Sequence, residues 1–443
     1  MNLHQVQWHL ARAAMLMAAL CLVLYLYANR NGASTANDGL VVDDVKAVVP
    51  ALSACDDFDP ATVSLDLHGT LNAKAPINGS AVDDFVCSIV KHNMKQTAHL
   101  DCPLNISLRY DSLRVQPSWG SANPKVKYFF ALDLYQAAHI LMPLMGAILD
   151  TMRFIGPQYC ALSIVEGRST DGTYDILVAL ERELAAMGVR YFLGTNDLNP
   201  KAEGEDRIKD LAILRNQAIA PLVAAGTGKF SPYAADTLIV FVNDIVLCTE
   251  DLLELIYQHQ NQDAQMTCAF DWNAGGGSFY DSWVSRSMSG NLFFEITHDA
   301  RYWIAKDMFF DDNYNAERYG RGLPVQVYSC WGGMVTLNAA PFVQKSVTFR
   351  SSEPGECYMG EPMTLAKDLW RAGLGKIQAV SSINVAYEYK SAREAKETYK
   401  YVHQIIRREK YTKGPELIEW QPEPPPRVKC MPWFNNQYWV DPM

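Results

Sequence analysis

Thr237 to Cys248 reads TLIVFVNDIVLC, a run of β-branched and aromatic residues interrupted by Asn243 and Asp244. A carboxylate at the end of a buried strand is the type of oxygen ligand that hard divalent cations take. Glu166 has a similar place, after the apolar run Tyr159 to Val165, and shares the turn cluster up to Gly172 with Arg168 and Asp171. There a carboxylate accepts from hydroxyls and a guanidinium pairs with phosphate. Arg215, in the helical segment LRNQAIAPL before the Thr237 strand, is placed to reach the same edge. Farther along, Asp271-Trp272 and Asp281-Ser282-Trp283 flank the loop Gly275-Gly276-Gly277. These are carboxylates for ligand hydroxyls beside indoles with flat apolar faces, and the triple glycine predicts a mobile lid. Trp331, in Cys330-Trp331-Gly332-Gly333, offers a further wall, with glycines that permit close approach. Glu361 stands before Pro362, which suits the first position of a helix. Glu361 then occupies the cap, Leu365, Leu369 and Trp370 turn inward, and Gly373 stops the helix.

The elements that must position these residues alternate between strand and helix. Tyr159 to Val165 predicts a buried strand, Tyr174 to Met187 a helix ended by Gly188, and Val189 to Leu193 a second strand. That is a βαβ unit with a right-handed crossover and a parallel sheet. A helix over Arg207 to Val223 and the Thr237 strand extend the pattern. Ligands of such sheets bind beyond the carboxyl ends of the strands, where Glu166 and Asp244 fall. EGRSTDGT is not a dinucleotide fingerprint, and Gly226-Thr227-Gly228-Lys229 lacks the spacing of a P-loop. Hydride transfer and ATP hydrolysis are therefore disfavoured.

The whole chain adds bounds. With 443 residues, 49% apolar and 20% charged, it is globular and long enough for one large domain or two fused halves. A formal net charge of -10 argues against a surface that wraps nucleic acid and favours a neutral partner, or an anion held through a metal. Residues 13–28 carry no charge between Arg12 and Arg30 and read as a transmembrane signal anchor, with 1–12 as a short cytoplasmic tail. Residues 29–82 read as a lumenal stem, 83–414 as the main domain, and 415–443 as a Pro-rich and aromatic tail wrapping it. Asn78 and Asn105 begin N-glycosylation triplets, and nine cysteines outside the anchor fit an oxidising lumen, at least one of them unpaired. No C-x-x-C pair supports a zinc site.

SIVEGRSTDGT, LRNQAIAPL, FVNDIVLC, CAFDW followed by YDSWVSR, CWGGM and GEPMTLAKDLW occur in this order between about Lys127 and Val385. The ordered set resembles the fungal family of cryptococcal α-1,3-mannosyltransferases and capsule-associated proteins, glycosyltransferase family 69. The resemblance implies an α/β GT-A fold, with a Rossmann-like nucleotide-binding half, a mixed central sheet and an acceptor-binding half, in a single-pass type II Golgi membrane protein. It implies a retaining transfer of mannose from GDP-mannose to a mannoside or oligosaccharide acceptor, with Mn2+ or Mg2+, in fungal glycan or capsule synthesis. On that reading Asp244 is the metal ligand, in Val242-Asn243-Asp244 where such enzymes usually carry D-x-D. Glu166, Arg168, Asp171, Arg215, Asn243 and Asp244 would serve the donor, Trp272, Trp283 and Trp331 the acceptor, and Glu361, Asp271 and Asp281 the chemistry. A late histidine often completes the metal shell of such chains, and His298 and His403 are the candidates. Two other readings stay open: a non-catalytic glycan-binding or capsule-export protein on the same fold, and a transferase of another nucleotide sugar.

Overall fold

The computed structural model describes residue 55 and residues 79–91, 100–116, 124–273, 277–297, 304–409 and 417–442. The predicted anchor, most of the stem, Asn78, Gly275, Gly276 and His298 lie outside the described residues. Helix α1 (Gly79–Val90) turns Phe85, Val86 and Ile89 inward and is tied through Cys87 to Cys55. Strand β1 (Val126–Leu134) is a nearly continuous apolar run, as expected of a strand covered on both faces. It leads into helix α2 (Ala138–Ile155).

The βαβ unit follows as strand β2 (Cys160–Glu166), helix α3 (Thr173–Met187) and strand β3 (Arg190–Thr195). Helix α3 ends at Gly188, whose φ of 81° lies in the left-handed region where glycine carries no Cβ penalty. Helix α4 (Arg207–Ala225) starts where the Asp206 side chain accepts from the Ile208 and Lys209 amides. Strand β4 (Tyr233–Val242) contains the TLIVFV run and stops just before Asn243.

The second half supplies α5 (Thr249–Asn261), β5 (Met266–Asn273), the short β6 (Ser278–Phe279) and β7 (Arg286–Ser287), α6 (Asn313–Gly320), β8 (Pro324–Ser329) and β9 (Met334–Asn338). It closes with α7 (Ala340–Val343), α8 (Glu361–Arg371), β10 (Ile377–Ala386), α9 (Tyr389–Tyr399), α10 (Val402–Glu409) and the hairpin β11 (Val428–Trp433) and β12 (Asn436–Val440).

The main sheet has ten strands in the order β3-β2-β1-β4-β9-β5-β10-β8-β7, with β6 paired to β5. Strands β3, β2, β1 and β4 are parallel, whereas β9 runs antiparallel between β4 and β5. The predicted mixed sheet is therefore present. From β1 the chain builds β2 and β3 on one side and then returns to place β4 on the other. The carboxyl ends of β1 and β4 are thus a switch point, the crevice where open α/β sheets bind ligands. Ala131 pairs with Phe241 across these strands, which brings Asp133 level with Asn243.

One hydrophobic layer holds α1, α2, α3 and α5 against the sheet, and the opposite layer holds α4, α8 and the segment around Phe279 to Phe309. Eight cysteines pair as Cys55–Cys87, Cys102–Cys248, Cys268–Cys330 and Cys357–Cys430, leaving Cys160 buried and unpaired. Residues 417–442 lie across the domain. There the Trp420 indole donates to the Gln262 carbonyl, and the Pro442 carbonyl accepts from Tyr328.

Candidate active site

The carboxyl ends of β1 and β4 meet the start of α8 around one guanidinium. Arg215, on α4, is only 5% exposed, so it is not a solvated helix arginine. Its Nε donates to Glu361 Oε1 at 2.6 Å, one Nη donates to Asn243 Oδ1 at 3.4 Å, and the same Nη lies 3.8 Å from Asp133 Oδ1. The guanidinium sits 4.0 Å from the centre of the Trp331 ring, while the Trp331 indole N–H donates to Asn243 Oδ1 at 3.1 Å. Burial works against the charge of Arg215, but Glu361 and Asp133 more than offset it.

Asp244 is pushed up to about 6, first by burial and then by the neighbouring Asp133 carboxylate. Asp133 is also raised by burial, with Arg215 opposing. Glu361 raises Asp133 as Asp133 raises Asp244, and a crowd of buried carboxylates is what a bound cation relieves.

A second acidic pair adjoins the first. Asp271, on β5, is fully buried and accepts from the Tyr387 hydroxyl at 2.9 Å and from the Asp281 amide at 3.1 Å. Asp281 in turn accepts from the Gly332 amide at 2.7 Å. Burial and the nearby Asp281 charge push Asp271 well above the carboxylate range, and burial pushes Asp281 up to about 6. Two buried carboxylates in contact disfavour carrying two negative charges at once, so they titrate as a pair. The Cys268–Cys330 disulfide pins the Trp331 turn to β5, so Asp271 on β5 and the Gly332 amide that holds Asp281 rest on one wall.

Glu361 is the first residue of α8, and Gly360 rather than Glu361 is the cap. A Cβ on Gly360 would come within 2.6 Å of Val284, so this cap position has no room for a side chain. Asp133 and Tyr387 escaped the sequence reading. The signal for Asp133 was present in YFFALDL, an apolar strand that meets an acid as TLIVFVND does.

The loop after β2 is organised largely by its own acids. Glu166 is buried, with Oε1 accepting from the Ser169 amide. Asp171 accepts from the Thr173 amide and hydroxyl on one oxygen and from the Ala138 amide on the other. Both were expected to bind donor; the Asp171 oxygens fasten the loop to the starts of α2 and α3, and Glu166 Oε1 holds the turn within the loop. Arg168 has a φ of 60°, lies over the Tyr135 ring, and keeps its Nε buried without a hydrogen-bond partner.

Two of the three expected acceptor indoles are also reassigned. Trp272 is fully buried, stacked at 3.9 Å on Tyr399, with its N–H bonded to Asn384, and has no face to offer. Trp331, 1% exposed, packs under Arg215 as a positioning residue. A Cβ at Gly332 would collide with the Ala269 carbonyl, so this glycine admits the neighbouring strand rather than a ligand. Trp283 stays half-buried, its N–H held by the Met431 carbonyl. His403 is held by Glu250, which accepts from its amide and pairs with its Nδ1, and not by a carboxylate of the acidic cluster.

Comparison with known proteins joins this geometry to a family. The chain is 31% identical over 329 residues to an α-1,3-mannosyltransferase of Cryptococcus neoformans var. neoformans serotype D, covering 69% of this chain and 68% of that protein. Among solved structures, TarS of S. aureus is 12% identical with a TM-score of 0.35, over 59% of this chain and 60% of that one. A mannosyltransferase of Pyrobaculum calidifontis, in complex with GDP-Man and Mn2+, is 10% identical with a TM-score of 0.32, over 69% of this chain and 71% of that one. At those scores neither structural likeness bears on the fold. Residues 127–368, more than half of the sequence and the part that carries Asp133, Arg215, Asp244, Asp271, Asp281 and Glu361, match the family described as cryptococcal mannosyltransferase 1, and to that family the chain belongs.

Proposed function

We propose that the chain is a retaining α-1,3-mannosyltransferase of GT-A type that moves mannose from GDP-mannose to a mannose-containing acceptor glycan, with Mn2+ or Mg2+ at Asp244. The observation that carries this reading is the surplus of carboxylate around Arg215 at the switch point of the sheet, in a chain of this family. A diphosphate is itself anionic, so it approaches Asp133 and Asp244 only with a cation between them. Among the described residues no three of His, Cys, Asp and Glu converge as a ready cage. Asp244, with Asp133 beside it, therefore supplies the protein side, and donor oxygens complete the shell.

When bound, the cation would neutralise charge on the departing diphosphate. Asn243, fixed by Trp331 and Arg215, holds the main chain that presents Asp244. The unpartnered Nε of Arg168 is a donor for phosphate oxygen. Glu361, gripped by Arg215, and Asp281, whose amide is held by Asp271, are the carboxylates for sugar hydroxyls. The same reading places the chain in the Golgi membrane as a type II protein. Four disulfides and the exposed Asn105 triplet support a lumenal domain.

The test is turnover by the full chain in detergent, with GDP-mannose or UDP-glucose, methyl α-mannoside as acceptor, and Mn2+ present or chelated. The reading expects Mn2+-dependent transfer from GDP-mannose and an α-1,3 linkage by NMR. Transfer from the UDP-sugar alone, or transfer indifferent to chelation, contradicts it.

A further inference from the structure

The C-terminal hairpin leaves large aromatic side chains in solvent, which a stable fold does not require. Trp433 is 62% exposed, Tyr438 45% and Trp439 38%. Asn435 and Asn436 at the turn are exposed as well. Arg427 and Lys429 lie over the Trp439 ring at the base of the hairpin, whereas its tip from Trp433 to Tyr438, WFNNQY, carries no formal charge. Aromatic faces interleaved with amides, and no charge, suit a neutral ligand rich in hydroxyls. They do not suit an anion, for which clustered Lys and Arg would be needed.

The hairpin is joined to the candidate active site. Cys430 is bonded to Cys357, in the loop that leads to Glu361. The Met431 carbonyl accepts from the Trp283 indole two residues beyond Asp281, while Lys429 pairs with Gly290 and its carbonyl accepts from Arg286. Strand β11 therefore runs alongside residues 283–290 in the opposite direction, and the end that carries Trp433 is the end nearest Asp281. Trp433 follows the Met431–Trp283 bond by two residues along this strand. The Phe434 ring lies 5.4 Å from that of Trp433, steadying the exposed indole.

We propose that Trp433, with the amides of Asn435 and Asn436, forms an outer subsite for the acceptor glycan, stacking on a pyranose ring one or more units away from the hydroxyl that receives the sugar. This inference rests on the mannosyltransferase reading for the identity of the sugar, but not for the existence of the platform. The chemistry it recognises is a neutral hexose chain, so longer acceptors gain from it and single sugars do not.

The experiment uses the full chain in detergent, α-1,3-linked mannotetraose and methyl α-mannoside as probes, and the variants Trp433→Ala and Trp433→Tyr. Saturation-transfer NMR reports binding of the tetraose whether or not transfer occurs, so a failed donor assignment does not hide the result. Trp433→Ala is expected to weaken tetraose binding roughly tenfold. It should lower the ratio of kcat/KM for tetraose over methyl mannoside by a similar factor, through KM. Trp433→Tyr should restore most of both. Unchanged tetraose binding in Trp433→Ala, or equal losses on the two acceptors, overturns the subsite. Absence of any transfer from GDP-mannose, with tetraose binding still sensitive to Trp433, overturns the donor reading and leaves the platform standing.

Discussion

Arg350 and Arg215 are both arginines gripped by carboxylates, and α8 contributes to both clusters. Around Arg350, Glu356 and Asp368 lie at 2.6 and 2.7 Å, and Lys367 and Arg371 also reach them, so three cations face two anions. Glu356 is accordingly held down to about 2, chiefly by its hydrogen bonds from Arg350. Around Arg215 the balance is reversed. One buried guanidinium, with the exposed Lys201 adding a little, faces Glu361, Asp133, Asp244 and Asp281, and Asp244 and Asp281 both rise to about 6. The residue types are the same and the charge balance differs. The first arrangement is a closed clamp that holds the loop before α8; the second is left short of positive charge, which a cation and its substrate can supply.

The comparison breaks most visibly at Asp244. Replacing Asp244 by Ala should remove metal-dependent transfer by on the order of a hundredfold or more while circular dichroism stays native, because a strand-end carboxylate adds little packing. Arg215→Ala should cost both activity and fold. It leaves Glu361 and Asp133 without their cation, a loss of about 3 kcal/mol in urea unfolding, and turnover falls with it. A variant that keeps full stability would show that the surplus charge is not confined by Arg215. Arg350→Ala should cost about 1–3 kcal/mol, with kcat/KM close to that of the parent when assayed well below Tm.

The smallest effect is the dependence of Tm on pH, and its sign differs between the clusters. Glu356 has a folded pKa below its unfolded one, so its contribution is present above about 4.3 and lost as pH falls toward about 2. Asp244 has a folded pKa raised to about 6, so without a cation its contribution is largest below about 3.9 and lost as pH rises through 6. Glu356→Gln should therefore lower Tm near neutrality, and Asp244→Asn should raise it. Parallel slopes for the two variants would remove the contrast.

The strand ends were legible in the sequence because a buried strand that meets a charge is a local event. The βαβ unit from Cys160 to Thr195 and the helix at Arg207 follow from periodicity and glycine punctuation in the same way. What was not legible depends on long-range pairing. Nothing near Trp272 says that Tyr399 will stack on it, and nothing near Asp171 says that the Ala138 amide will bind its second oxygen. Arg215 looked like a reach toward phosphate because its partners, Glu361 and Asp133, are brought to it only by the assembled sheet and α8. Asp133 in YFFALDL carries the same local signal as Asp244, but that the two acids stand side by side follows only from the register of β1 and β4.

The central claim is that the carboxylate surplus at β1 and β4 holds a cation against the donor diphosphate. Calorimetric titration of Mn2+ into the chain loaded with GDP-mannose, across about pH 5 to 7.5, tests it most directly. The account predicts one site whose affinity falls about tenfold per pH unit below about 6, as the proton on Asp244 competes with the metal, and a site lost in Asp244→Ala. Mn2+ binding of equal affinity and equal pH dependence in Asp244→Ala would contradict it.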